Sequence, residues 1–119
     1  MNLKKKFADV SEYFSPKIIG EVNDTYVKIA KIKGDKIPWH DHKNEDELFY
    51  IVDGELLFEE KGRDAFTMKK GDIYIVKRGV NHRVSAVEEC KIMLIEHKTT
   101  AHTGDVKSEI TKNIDDQLK

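Results

Sequence analysis

GDKIPWHDHKNEDELFYIVDG, residues 34–54, places three metal-binding side chain types at spacings that β-structure can bring together. His40 and His42 stand two residues apart, and in an extended chain alternate side chains point to the same face, about 7 Å apart at the backbone. Glu47 follows and opens an apolar run, ELFYIV, in which Glu47, Phe49 and Ile51 share one face and Leu48, Tyr50 and Val52 the other. If Glu47 faces a metal, Phe49 and Ile51 line the interior. The outer face is then apolar too and asks for cover, from a second sheet or from a twofold partner. Glu45 and Asp46 lie close enough in sequence to be alternative carboxylate ligands, but the alternation after Glu47 favours Glu47. A further imidazole, His82, sits downstream in GVNHRV. Three nitrogens and one carboxylate suit a first-row transition metal better than calcium or magnesium, which prefer oxygen shells.

The spacing Gly34-x5-His40-x-His42-x4-Glu47-x6-Gly54 resembles the first motif of the cupin superfamily at every fixed position. The second motif of that family, Gly-x5-Pro-x-Gly-x2-His-x3-Asn, is matched by Gly71-x5-Lys77-x-Gly79-x2-His82-x3-Ala86, with Lys77 in place of the proline and Ala86 in place of the asparagine. Lys77 leaves the turn before His82 less rigid. The asparagine is not a ligand in the family pattern, so Ala86 leaves the ligand set intact. The resemblance covers roughly residues 18–104 and is strongest to small single-domain cupins described as mannose-6-phosphate-isomerase-like, which carry a similar DELFYIVDGEL segment and closing LIE and TGD segments. It implies an all-β double-stranded β-helix, the jelly-roll barrel. It also implies one divalent metal (iron, manganese, nickel or zinc) held by His40, His42, Glu47 and His82 near one mouth.

The remaining sequence fits that expectation. At 119 residues the chain makes one domain, and oligomerisation would help so small a core. Its net charge of −1 argues against nucleic acid as a partner. The longest apolar runs are too short for a membrane span, and no signal segment is evident. The lone Cys90 fits a reducing cytoplasm and reads as a buried small residue rather than a reactive thiol. Lys4-Lys5-Lys6 reads as a solvated terminus.

In order, residues 1–16 form an N-terminal extension, 17–104 the barrel and 105–119 a polar tail. Asp9–Phe14 reads as a helical turn stopped at Ser15-Pro16. Phe7, Tyr13 and Phe14 are placed on the outside of the barrel or on a partner. Strands are expected at 17–22, 25–33, 37–42, 47–52, 55–61, 65–68, 73–76, 82–87 and 90–97, with Glu88-Glu89 making a hairpin between the last two. Pro38 confines 37–42 to an edge or a strand start. Trp39 reads as a packing anchor. Ile110, Ile114 and Leu118 recur at helical spacing, so the tail is either a thin amphipathic helix or frayed.

Open coordination at such a site implies a metal-dependent enzyme, an isomerase or an oxygenase, acting on a small polar molecule. The other reading is a non-catalytic metal or small-molecule binding module. Tyr26, Glu60, Arg83, His97 and His102 are acid–base or anion-binding candidates by residue type alone, and alternation sends Arg83 outward. The inward positions of the clearest strands are mostly apolar, which argues against a sugar phosphate, because a phosphate needs Arg, Lys or an amide nest. Strands apolar on both faces, with the aromatic N-terminal segment, imply a twofold homodimer.

Overall fold

The computed structural model describes residues 1–104, 106, 108 and 110–118. Among these the chain forms β1 (Lys17–Val22), β2 (Thr25–Gly34), β3 (Glu47–Asp53), β4 (Glu55–Glu60), β5 (Phe66–Lys69), β6 (Ile73–Val76) and β7 (His82–His97). A short helix stands at each end, α1 (Leu3–Ala8) and α2 (Ile114–Gln117). All pairings are antiparallel. One sheet runs β1-β2-β7-β3-β6, and β5-β4 joins the opening residues of β7 to make the second. This is the expected all-β jelly roll, with Phe49, Ile51, Leu56, Phe58, Val84, Ile92 and Leu94 packed in the space between the sheets.

Strand β7 holds the two sheets together. Its 16 residues would span about 50 Å if straight, more than the longest dimension of the molecule, 38 Å. The strand therefore bends. His82–Ser85 pair with β4, while Ala86 and Cys90–His97 pair with β2. Between Ala86 and Cys90 the register slips against Gly34 and Ile32, so Val87, Glu88 and Glu89 bulge into solvent. The expected tight hairpin at Glu88-Glu89 is thus absent. The chain does reverse, but through a bulge in one extended strand, because neither glutamate favours the left-handed backbone of a two-residue turn. Residues 37–42 also form no strand; only His40 makes an isolated bridge, to His82. These two differences reduce the nine expected strands to the seven described.

The N-terminal expectation needs correcting too. The helix lies earlier, capped by the Asn2 side chain on the Lys5 amide, and residues 9–14 are not helical. Lys4 and Lys5 are thus exposed helix positions, not part of a loose terminus. Helix α1 lays Phe7 on the outer face of the large sheet, beside Val10, Ile29, Val52 and Met93. The chain itself therefore covers part of the apolar outer face. Phe14 turns inward at φ 57° and joins the barrel core rather than the outside. Tyr13 stays exposed, with its hydroxyl on Glu89.

The C-terminal segment fits neither alternative in full. Ile110 enters the barrel core and Gln117 is buried, whereas Leu118 is exposed and α2 is a single turn. Gly104, in the left-handed region, packs so closely on the Asp41 carbonyl that a side chain would collide with it. That contact seats the segment against the loop carrying His40 and His42.

Two motif glycines separate backbone strain from crowding. Gly54 and Gly71 have nearly the same φ, 89° and 90°, but a Cβ on Gly54 would lie 2.7 Å from the Glu89 carbonyl oxygen, whereas one on Gly71 meets nothing. Gly71→Ala should cost about 1–2 kcal/mol from the left-handed backbone alone. Gly54→Ala should cost about 3 kcal/mol or more, since the backbone at the β7 bulge must also shift. Urea unfolding of the two variants checks this; equal midpoints would show that the bulge yields freely.

Candidate metal centre

The site begins with backbone. His40 N–H donates to the His82 carbonyl at 3.1 Å and His82 N–H to the His40 carbonyl at 2.9 Å, so the two histidine segments are tied face to face. The Gly79 amide donates to the His42 carbonyl at 2.8 Å, a second tie between the same segments. The exposed turn 77–79 is latched from outside. Asp46 accepts from Lys77 Nζ at 2.7 Å and from the Arg78 amide at 2.8 Å. Lys77 thus supplies an ionic tether where a proline ring would stiffen the turn.

The rings are oriented next. His40 Nδ1–H donates to the Pro38 carbonyl at 2.8 Å, and His82 Nδ1–H donates to the Val80 carbonyl at 2.9 Å. Each bond spans two residues and places the proton on Nδ1, leaving the Nε2 lone pair to face inward. The ring centroids of His40, His42 and His82 lie 4.5–5.6 Å apart, and one nitrogen from each falls within 4.8 Å of the others. Glu47 Oε1 lies 3.6 Å from His42 Nε2 and 3.5 Å from His82 Nε2. The structure therefore brings together all four residues picked from the sequence.

The donor set fits a metal. Both His42 ring nitrogens, His82 Nε2 and Glu47 Oε1 are buried without a hydrogen-bond partner. An unpaired buried polar atom costs about 1–3 kcal/mol. Three of them, one His42 nitrogen, His82 Nε2 and Glu47 Oε1, converge with a His40 nitrogen and would be satisfied together by a divalent cation, in a shell of nitrogen and oxygen that suits a transition metal.

Two more charged groups reach the site, and the sequence reading passed over both. Lys28 and Glu96 are buried and joined at 2.7 Å. Glu96 stands across from Glu47 in the β3–β7 register. Strand parity carried the signal: Lys28 shares a face with the core residues Ala30 and Ile32, and Glu96 with Ile92 and Leu94. Burial pushes Glu47 upward, but the adjacent Glu96, His42 and His82 groups outweigh it and hold the carboxyl well below the ordinary range. Glu96 moves well above that range, through burial and then the adjacent Glu47 charge. Burial lowers His82, but the adjacent Glu47 carboxylate more than offsets it, so its net shift is upward.

Of the remaining candidates, only His102 comes to the site. It lines a cavity of about 40 Å³ with His40, Glu47, His82, Phe14, Ile37 and Phe49 among others, and its Nδ1 accepts from the Lys112 amide at 2.9 Å. Glu45 accepts from Thr99. Arg83 lies outside, paired with Glu59 at 2.8 Å and placed over Trp39. Glu60 accepts from Tyr74, His97 is exposed beside Thr99, and Tyr26 packs under Lys98.

Burial lowers His40 to about 4, and burial followed by the charges of Lys28 and His40 lowers His102 to about 4. Between pH 4 and 6.5 the unfolded chain therefore binds more protons at these residues than the folded one, and stability from them is lost as pH falls through that window. His82 acts with the opposite sign. His102→Gln in the metal-free protein should flatten the dependence of unfolding free energy on pH by up to about 1.4 kcal/mol per pH unit in that range. Denaturant titrations at pH 4.5, 5.5 and 7 provide the check, and an unchanged slope would place His102 in solvent.

Comparison with known proteins agrees with this geometry. The cupin domain model matches residues 30–96. The uncharacterized protein YdbB of Bacillus subtilis (strain 168) is 33% identical over 96 residues, covering 81% of this chain and 78% of that one. An acireductone dioxygenase of Tuber melanosporum (strain Mel28) is 32% identical over 74 residues, which are 58% of this chain and only 38% of that enzyme. The crystal structure of a cupin-2 domain containing protein from Shewanella frigidimarina superposes with a TM-score of 0.78 at 36% identity, covering 82% of this chain and 93% of that one. With both motifs and strands β3 to β6 inside the matched region, the chain belongs to the cupin domain family.

Proposed function

We propose that this cupin binds one divalent transition metal through His40, His42, Glu47 and His82 and uses it to act on a small molecule bearing a chelating pair of oxygens. The convergence of unpartnered, buried ring nitrogens and a carboxylate oxygen carries the reading. A bound ion of this kind polarises a carbonyl or stabilises an enolate, and if ferrous it also activates oxygen. The protein's own residues supply the rest. The Pro38 and Val80 carbonyls keep the His40 and His82 rings aimed inward. Phe14, Ile37, Phe49, Val84 and Leu94 exclude bulk water from the cavity. His102, on the same wall, is placed to hold or release a proton.

Isomerase and oxygenase chemistry both begin with loss of a proton next to a carbonyl, and the dioxygenase relative supports the oxygenase branch. A sugar phosphate fits poorly. The cavity lining holds no Arg or Lys among the described residues, and Lys28 is engaged by Glu96. The reading as a binding module is favoured by one observation: at about 40 Å³ the cavity has room for roughly two or three waters, well below the usual size of a substrate pocket.

Two further proposals concern setting. The outer face of the large sheet carries Ile73 and Ile75, 61% and 48% exposed, opposite the half-buried Tyr50 and Leu48. A second copy of the chain is proposed to cover it in a twofold homodimer. Cys90 is fully buried, with its thiol pushed up by burial to about 12, which fits an unreactive cysteine in a cytoplasmic protein. No described helix is long and apolar enough to cross a membrane.

Elemental analysis of protein purified without tag or chelator should give about one transition metal per chain, lost in His82→Ala. Iron then directs assays to oxygen uptake with enolisable dicarbonyls, and zinc or manganese to isomerisation. A wild type that holds no metal and takes none up on titration would refute the enzyme reading and leave the binding module. Light scattering should give a dimer that Ile73→Glu with Ile75→Glu converts to a monomer; a monomeric wild type at micromolar concentration would refute the dimer.

A further inference from the structure

Lys28 and Glu96 form an ion pair in a place where the fold does not require one. Lys28 is 1% exposed and Glu96 4%. Their neighbours along the same strand faces are apolar: Ala30 and Ile32 on β2, Ile92 and Leu94 on β7. A buried ion pair is costly to desolvate, and apolar residues of similar volume are often at least as stabilising. Stability alone therefore does not account for it.

Its position does. Glu96 is the direct cross-strand neighbour of Glu47, and neighbouring side chains in an antiparallel pair lie about 4.5–5.5 Å apart at Cβ. Lys28 grips one oxygen, Oε1, at 2.7 Å. The other, Oε2, is buried and has no donor, so the group available to it is the Glu47 carboxyl. Glu47 in turn directs Oε1 at His42 and His82. The order Lys28, Glu96, Glu47, histidine cluster thus runs across β2, β7 and β3, with the step from Glu96 to Glu47 set by their cross-strand register.

We propose that the Lys28–Glu96 pair is a positioning device that holds the Glu47 carboxylate toward the three histidines and so sets the affinity of the site for a divalent transition metal. The inference rests on the metal-site reading above. Neither Lys28 nor Glu96 is a ligand. Lys28 fixes the Glu96 side chain, and Glu96 fixes one edge of Glu47, leaving the opposite oxygen to the metal. Partners of this kind, one step behind a ligand, typically change metal affinity about 10–100-fold when removed.

The test uses the full chain, freed of metal and titrated with cobalt(II) alone. Cobalt d–d absorption reports the ligand shell, and competition with a chelator gives the affinity. Lys28→Met with Glu96→Leu removes both charges together. It should melt at the same temperature as the wild type or higher, yet bind cobalt about 10–100-fold more weakly with an altered spectrum. Glu96→Gln keeps a donor for Glu47 and an acceptor for Lys28, and should stay within about threefold of the wild type. Glu96→Asp keeps the charge but shortens the arm by one methylene, and should lose about fivefold or more. That variant decides the question if the double variant does not fold. Cobalt affinity and spectrum unchanged in a folded double variant, or unchanged in Glu96→Asp, overturns the proposal. A wild type that takes up no cobalt overturns both it and the metal-site reading, whereas a wild type that binds beside an unaffected variant overturns this inference alone.

Discussion

The backbone pair between His40 and His82 is the constraint from which the rest follows. Two reciprocal hydrogen bonds, at 3.1 and 2.9 Å, join segments more than forty residues apart in sequence. Without them residues 37–42 have no ladder to rest on, since Pro38 cannot donate and the segment forms no strand. With them, each ring folds back on the carbonyl two residues before it, and both Nε2 atoms point the same way. Gly79 and the Asp46–Lys77 latch close the same region from outside. The barrel is the frame that allows this meeting. Strand β7 leaves His82, bends through its bulge, and returns to place Glu96 against Glu47.

That arrangement buries an unusual amount of polarity. His40, His42, Glu47, His82, Lys28 and Glu96 are all at most 7% exposed, in a barrel otherwise filled by Phe, Ile, Leu and Val. Isolated charges in such a medium would be neutralised or excluded. The groups instead balance one another. Lys28 faces Glu96, Glu96 stands across from Glu47, and Glu47 faces the imidazoles. Phe58 stacks on His82 with an interplanar angle of 7°, walling one side of the cluster with an apolar surface. A cation bound at the centre would supply a fixed positive charge there, and the low dielectric around it would strengthen each bond to it.

Much of this was legible in the sequence because it is local. The ligands lie at fixed spacings, the alternation from Glu47 to Val52 names the inward face, and the glycines mark the turns. The misreadings have separate causes. Tight turns were assigned wherever polar residues interrupted an apolar run, so Glu88-Glu89 became a hairpin instead of a bulge. Strand structure was extended through Pro38 because the histidine spacing suggested it. Alternation was used to find apolar core positions and not followed through Lys28 and Glu96, whose parity is just as clear. Phe14 was unreadable in a different way: its entry into the core depends on a left-handed backbone at a residue type that rarely adopts it.

The C-terminal segment shows where a one-dimensional reading ends. Nothing in the spacing of the C-terminal residues tells a frayed tail from a packed strap, because the contacts that seat it on the barrel are with residues distant in sequence. Gly104 rests on Asp41, Ile110 lies in the barrel core, and Thr100 and Thr103 are buried. The consequence is chemical. His102 lines both the small inner cavity and an outer groove of about 490 Å³ formed with Lys98, Thr111 and Gln117 among others. Under the proposed function the inner space would admit a chelating pair of atoms, and the body of a substrate would need a larger volume such as the outer groove. On that reading, selection among small molecules would fall to the residues that close this mouth rather than to the four proposed ligands, which the family motif already specifies. The C-terminal segment is the least patterned part of the sequence, and it is where this cupin is free to differ from others with the same metal-binding side chains.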